Sequence, residues 1–180
     1  MKLCILFPGI GYHCDKPLLY YTARAARAKG YEVIPLRFTD FPQGAKGNAE
    51  KMRAAADHAF AQAAQQLADV DFTKYDRVVF AGKSIGTAAC LAYREQHSVS
   101  ADCVLFTPLE MTFEHPAQGC IAFHGTADPW ADTGRITSLC EENAVPLNLF
   151  EGANHSLETG DVTADISALA RVMERVGEWL

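Results

Sequence analysis

Nowhere in the 180 residues does an apolar run approach the ~18 residues of a membrane-spanning helix. There is no excess of positive charge either. Lys and Arg number 16 against 22 Asp and Glu, for a net charge of −6. That balance gives no electrostatic ground for binding nucleic acid or an anionic membrane. No charged stretch followed by a long apolar one opens the chain, so no secretory signal and a cytoplasmic location are expected. No Cys-x-x-Cys and no zinc-like Cys/His spacing occurs among Cys4, Cys14, Cys90, Cys103, Cys120 and Cys140. They are expected to be reduced, mostly as small buried hydrophobes. Cys14 lies in a loop beside His13 and Asp15, but neighbouring loop residues rarely converge on one ion. No metal and no cofactor are therefore expected. Internal repeats, low-complexity tracts and interdomain linkers are also lacking. Gln43-Gly44-Ala45-Lys46-Gly47 reads as a flexible surface loop, and residues 1–180 as a single domain.

What is present is ordinary in amount, with 49% hydrophobic and 21% charged residues, but regular in order. Short apolar strands are expected at Lys2–Phe7, Tyr31–Phe38, Tyr75–Ala81, Asp102–Phe106, Cys120–Phe123 and Pro146–Phe150. Helices are expected between them and at the end. Lys16–Lys29 has Asp15 as candidate N-cap and Pro17 in the first turn. In Asn48–Ala68, Met52, Ala56, Ala59, Ala63 and Leu67 recur at helical spacing. Ser84–His97 and Asp132–Asn143 follow. The closing helix, Asp161–Leu180, shows Val162, Ile166, Leu169, Met173, Val176 and Leu180 on one face. Six apolar strands alternating with helices predict an α/β fold: a mostly parallel sheet covered on both faces, in three α/β/α layers.

One segment stands out within this pattern. Val79-Phe80-Ala81-Gly82-Lys83-Ser84-Ile85-Gly86-Thr87 runs from a β-branched strand through Gly-x-Ser-x-Gly into an alanine-rich helix. A nucleophile elbow needs that context. Gly82 and Gly86 are required where strand and helix come too close for a Cβ. The free N–H groups of the helix start can face the serine. An elbow of this kind demands an Asp or Glu and then a His later in the chain. Asp128 follows the strand Cys120–Phe123, and His155 follows the strand Pro146–Phe150. Both lie just past C-terminal strand ends, the edge at which open parallel sheets bind ligands. Asp132 and Glu110 are rival acids, although Asp132 also suits the N-cap of the next helix. His58 and His97 sit in helices, His13 and His115 precede the acid, and His124 ends a strand, where a local hydrogen bond is expected.

Four segments in this order, Phe7-Pro8-Gly9-Ile10-Gly11, Gly82-Lys83-Ser84-Ile85-Gly86, His124-Gly125-Thr126-Ala127-Asp128 and Gly152-Ala153-Asn154-His155, resemble the α/β-hydrolase superfamily over nearly the whole chain. Within it the chain is similar to small lidless carboxylesterases and dienelactone-hydrolase-like proteins. Dienelactone hydrolase itself uses a cysteine where this chain has Ser84. The resemblance implies a minimal hydrolase fold without the usual leading antiparallel strand pair. It implies Ser84 as nucleophile, His155 as base, Asp128 as its orienting acid, and the amides of Ile10 and Ile85 as the oxyanion hole. Only about a dozen residues separate Phe106 from Cys120. That is too few for a cap domain, so an open, shallow site is expected. Its walls would come from Tyr12, Leu109 and Trp130, with Met111 and Leu157 as further candidates. Lys83 reads as either a solvated side chain or a handle for an anionic substrate.

The function implied is hydrolysis of small carboxylic esters through an acyl-enzyme. A thioesterase, a small amidase or peptidase, and a non-catalytic binding member of the fold remain alternatives. An edge strand or the apolar rim leaves room for a homodimer, but nothing in the sequence demands one.

Overall fold

The computed structural model describes residues 1–45 and 48–180. Lys46 and Gly47, in the expected surface loop, lie outside the described residues. Six strands form one sheet: β1 (Lys2–Phe7), β2 (Tyr31–Pro35), β3 (Arg77–Lys83), β4 (Asp102–Phe106), β5 (Cys120–Gly125) and β6 (Leu147–Phe150). All five pairings are parallel, in the order β2-β1-β3-β4-β5-β6. The helices are α1 (Pro17–Ala28), α2 (Ala49–Gln66), α3 (Ile85–Gln96), α4 (Thr133–Glu142) and α5 (Val162–Trp179). This is a three-layer α/β/α fold without a separate cap domain. Phe106 and Cys120 are joined by a loop holding only the short 3-10 helix Glu110–Glu114.

Both faces of the sheet are buried, which explains why its strands read as continuous apolar runs. Leu3, Ile5, Phe7, Val78, Phe80, Cys103 and Leu105 face α2 and α3. Cys4, Leu6, Val79, Ala81, Val104 and Phe106 face α1 and α5. Alternation along each strand divides the core into these two layers. β3 extends two residues beyond the sequence expectation, through Gly82 and Lys83, because Gly82 and Lys83 stay in register with Leu105 and Phe106. β2 stops three residues short, at Pro35, where the proline offers no donor to the ladder.

Three local expectations are corrected. Asp15 does not cap α1; its N-cap is Lys16, with no side-chain bond, and Pro17 alone marks the start. Of the expected stripe on α5, Leu169, Met173, Val176 and Leu180 do pack on the core, joined by Ala168 and Val172, whereas Val162 and Ile166 are 72% and 64% exposed. Lys83 is not solvated; it is 1% exposed. The expected cap Asp132 does act as one, accepting from the Arg135 amide, and Asn48 caps α2 by accepting from the Lys51 amide. All six cysteines are free, and five are buried. Cys14 turns inward and donates to the Leu36 carbonyl at 3.3 Å. Burial pushes its thiol up to about 12, with Asp15 adding to the effect, so this thiol is not an activated one.

Strand order reverses between β1 and β3, and the C-terminal ends of those two strands flank the reversal. Such a switch point leaves a crevice for ligands. Ser84 is the residue that follows β3.

Candidate active site

Ser84 links β3 directly to α3 and takes φ 56° and ψ −123°. A non-glycine residue pays strain there, about 1–3 kcal/mol, and holds the geometry only when its surroundings enforce it. They do. The Ser84 amide donates to the Phe106 carbonyl at 3.0 Å, and its carbonyl accepts from the Thr87 amide at 2.9 Å. Thr87 Oγ1 lies 2.6 Å from Thr112 Oγ1, which ties the Glu110–Glu114 turn to the elbow. The two motif glycines are needed for the predicted reason. A Cβ on Gly82 would sit 2.7 Å from the Gly86 carbonyl oxygen, and one on Gly86 would collide with the Phe7 and Pro8 carbonyls.

The loop after β1 leans on this elbow. Gly9 and Tyr12 exchange backbone hydrogen bonds of 3.0 and 3.2 Å, leaving Ile10 at the tip. Ile85 is the first residue of α3, where an N–H has no acceptor within its own helix.

Asp128 and His155 arrive from two further strand ends. Their loops are laced together: Thr126 N to Phe150 O at 3.0 Å, Ala127 N to Ala153 O at 2.9 Å, and Gly152 N to Thr126 Oγ1 at 2.8 Å. Gly125 permits this close approach, since any Cβ there would strike the Ala153 carbonyl. Asn154 Oδ1 accepts from the Ser156 amide at 2.7 Å and shapes the turn that carries His155.

Three side chains from three separate segments then meet. His155 Nδ1 lies 2.7 Å from Asp128 Oδ2, and His155 Nε2 lies 2.8 Å from Ser84 Oγ. A carboxylate only accepts, so Nδ1 carries the hydrogen and Nε2 is left to accept from the serine hydroxyl. The Asp128 side chain is fully buried, and the Trp130 amide donates to its other oxygen at 2.8 Å. Burial alone would raise the Asp128 pKa. The hydrogen bond and charge of His155, with the Trp130 amide, outweigh it and hold the carboxyl below its usual range. His155 is also held below its usual value, first by burial, against the raising pull of Asp128 and with the help of Lys83. Both directions describe one state, an ionised Asp128 beside a neutral His155. In that state a proton can pass from the Ser84 hydroxyl to Nε2.

The rival acids are engaged elsewhere. Asp132 caps α4, and Glu110 pairs with Arg135 at 3.6 Å. His124 satisfies one nitrogen, with Thr133 Oγ1 at 3.2 Å from Nε2; its Nδ1 has no hydrogen-bond partner and faces Asp128 Oδ2 at 3.8 Å. The other expected positions divide. Tyr12, Ile10 and Trp130 line a cleft of about 160 Å³ beside Ser84 and His155. Leu109 and Met111 do not. They line an adjoining groove of about 660 Å³, which shares Met52 and Trp130 with the cleft. Leu157 is buried and borders a different depression, between α1 and α5. Sequence reasoning missed Met52, whose helical spacing assigned it wholly to the core. Among the described residues no group of three or more His, Cys, Asp or Glu is arranged to hold a metal. No described helix is long and apolar enough to cross a membrane.

No protein-family model matches the chain, and no curated protein matches its sequence. Solved structures do. A Xanthomonas campestris protein proposed to be a hydrolase of the alpha/beta superfamily aligns over 99% of both chains, with a TM-score of 0.66 and 19% identity. A second Xanthomonas campestris structure, a serine hydrolase without a lid, aligns over 99% of this chain and 82% of its own, with a TM-score of 0.64 and 18% identity. A Pyrococcus furiosus esterase aligns over 99% and 82%, with a TM-score of 0.70 and 14% identity. This chain has the α/β-hydrolase fold.

Proposed function

We propose that the chain is a serine hydrolase that cleaves small carboxylic esters through an acyl-enzyme. The observation that carries this reading is the continuous relay Ser84 Oγ, His155 Nε2, His155 Nδ1, Asp128 Oδ2, with links of 2.8 and 2.7 Å. Ser84 Oγ attacks the ester carbonyl carbon as its proton passes to His155 Nε2. Asp128 keeps the ring oriented and stabilises the imidazolium. The amides of Ile10 and Ile85 serve the negative oxygen of the tetrahedral intermediate, a contribution worth roughly 3 kcal/mol per donor. Collapse breaks the bond to the alcohol, which leaves with the proton from Nε2. Water then repeats the sequence on the acyl-enzyme and frees the acid.

The substrate reading follows the two concavities. The small cleft beside Tyr12 and Ile10 suits a short group. The adjoining groove, whose walls mix Met52, Leu109, Met111 and Trp130 with Glu50, Arg53, Glu110 and Glu114, has room for a bulkier part. One substituent of each size on the ester would use both. Residues 1–180 act as one catalytic unit in this reading, in the cytoplasm.

Intact-mass measurement after fluorophosphonate treatment tests the proposal. A single adduct on the wild type that is absent from Ser84→Ala supports an activated serine. No adduct on folded wild type overturns it and favours a binding protein. A panel pairing oxygen esters with thioesters and anilides of the same acyl group then separates the esterase from the thioesterase and amidase alternatives.

A further inference from the structure

Lys83 immediately precedes Ser84, and the fold buries it. Its ammonium lies 5.0 Å from the centre of the Tyr12 ring. Tyr12 is itself fixed, its hydroxyl accepting from the Leu18 amide at 3.1 Å. Lys83, Tyr12, Ser84 and His155 all line the same 160 Å³ cleft. An ammonium moved out of water is expensive, and an aromatic face offsets only part of that. A cation retained there acts on its neighbours through a poorly screening medium.

His155 is one of the titratable groups with which Lys83 shares that cleft. Asp128, from the loop after β5, favours the protonated ring. Lys83, from β3, and His124, from β5, oppose it. Around these, Asp132 acts on His124, and Glu158 acts on Tyr12. Asp128 is needed for orientation, yet its charge also pulls a proton onto His155 before substrate arrives. A base already protonated cannot accept the proton of Ser84.

We propose that Lys83 is a positioning residue that acts through His155: its buried cation offsets the Asp128 charge and keeps the imidazole unprotonated, extending the working range toward acid. The inference rests on the reading of Ser84 as nucleophile and His155 as its base.

The test is an NMR titration of the His155 ring in wild type, Lys83→Met and Lys83→Arg, beside the pH dependence of fluorophosphonate labelling. In Lys83→Met the imidazole midpoint and the acid limb of labelling should both move to higher pH, in step. Lys83→Arg should keep both near wild type. An unchanged midpoint in folded Lys83→Met overturns the proposal, as does a shift of equal size in Lys83→Arg. Lys83→Gln gives the same comparison where the methionine variant does not fold. An upward midpoint in a protein that never labels supports the charge coupling and overturns only the hydrolase reading beneath it.

Discussion

Ser84 carries a conformational load that ordinary substitution rules would miss. Glycine usually destabilises by about 0.5–1 kcal/mol relative to alanine in regular structure. At φ 56° the sign should reverse, because alanine keeps the Cβ that makes this backbone strained. Ser84→Gly is expected to be more stable than Ser84→Ala by about 1 kcal/mol in urea denaturation, with both unlabelled by fluorophosphonate. Equal midpoints would mean that the turn is relaxed. Asp128 gives a second residue-scale prediction. Asp128→Asn removes the charge that fixes the His155 tautomer and should lower turnover by roughly 10⁴-fold. Ester hydrolysis measured on the purified variant decides it, and a loss under tenfold would move the acid role elsewhere. That Ser84, Asp128 and His155 meet was legible in the sequence because Ser84 follows β3 at once and the other two lie in the loops just after β5 and β6, where a parallel sheet delivers its loops to one edge. Lys83 was not legible. A charged residue flanked by glycine and serine reads as solvated on average, and its burial, beside the Tyr12 ring among others, comes from tertiary packing.

At the scale of elements, α4 and α5 separate structural from chemical roles. Asp132 Oδ1 accepts from the Arg135 amide at 2.8 Å, as an N-cap should. Asp132→Ala is expected to lower stability by about 1 kcal/mol while leaving fluorophosphonate labelling intact. Loss of labelling in a folded variant would return Asp132 to the acid role. On α5, helical spacing alone allowed more than one apolar stripe. Packing selects the one through Ala168, Val172 and Val176, which join the core cluster on the sheet face that α1 also covers. Val162 and Ile166 precede that contact and point to solvent. Val172→Ala should therefore cost about 1–2 kcal/mol of lost apolar burial. Ile166→Ser should stay within about 0.5 kcal/mol of wild type. Periodicity showed the existence, length and most of the core-facing side of this helix, but not that its first turns run clear of the core, because that depends on which neighbour is in place.

For the molecule as a whole, the buried groups of the candidate site should set the response to acid. His155 and His124 both have folded-state pKa values below the usual 6.5, burial being the largest cause in each. The unfolded chain takes up protons at these rings first as pH falls. Proton uptake by the unfolded state lowers stability. Their contribution is therefore fully present above pH 6.5 and is lost as pH falls from 6.5 toward the folded-state values. Asp128 adds a later step of the same sign. Its folded pKa lies below 3.8, so its contribution is present above 3.8 and disappears as pH falls below that value. The melting temperature should accordingly begin to drop just below pH 6.5. In His124→Gln that first decline should be shallower, since one of the two protons is removed from the balance. Melting curves recorded from pH 8 to pH 4 on wild type and His124→Gln decide the point. Identical pH profiles would mean that His124 is protonated equally in both states, and that the decline belongs to His155 alone.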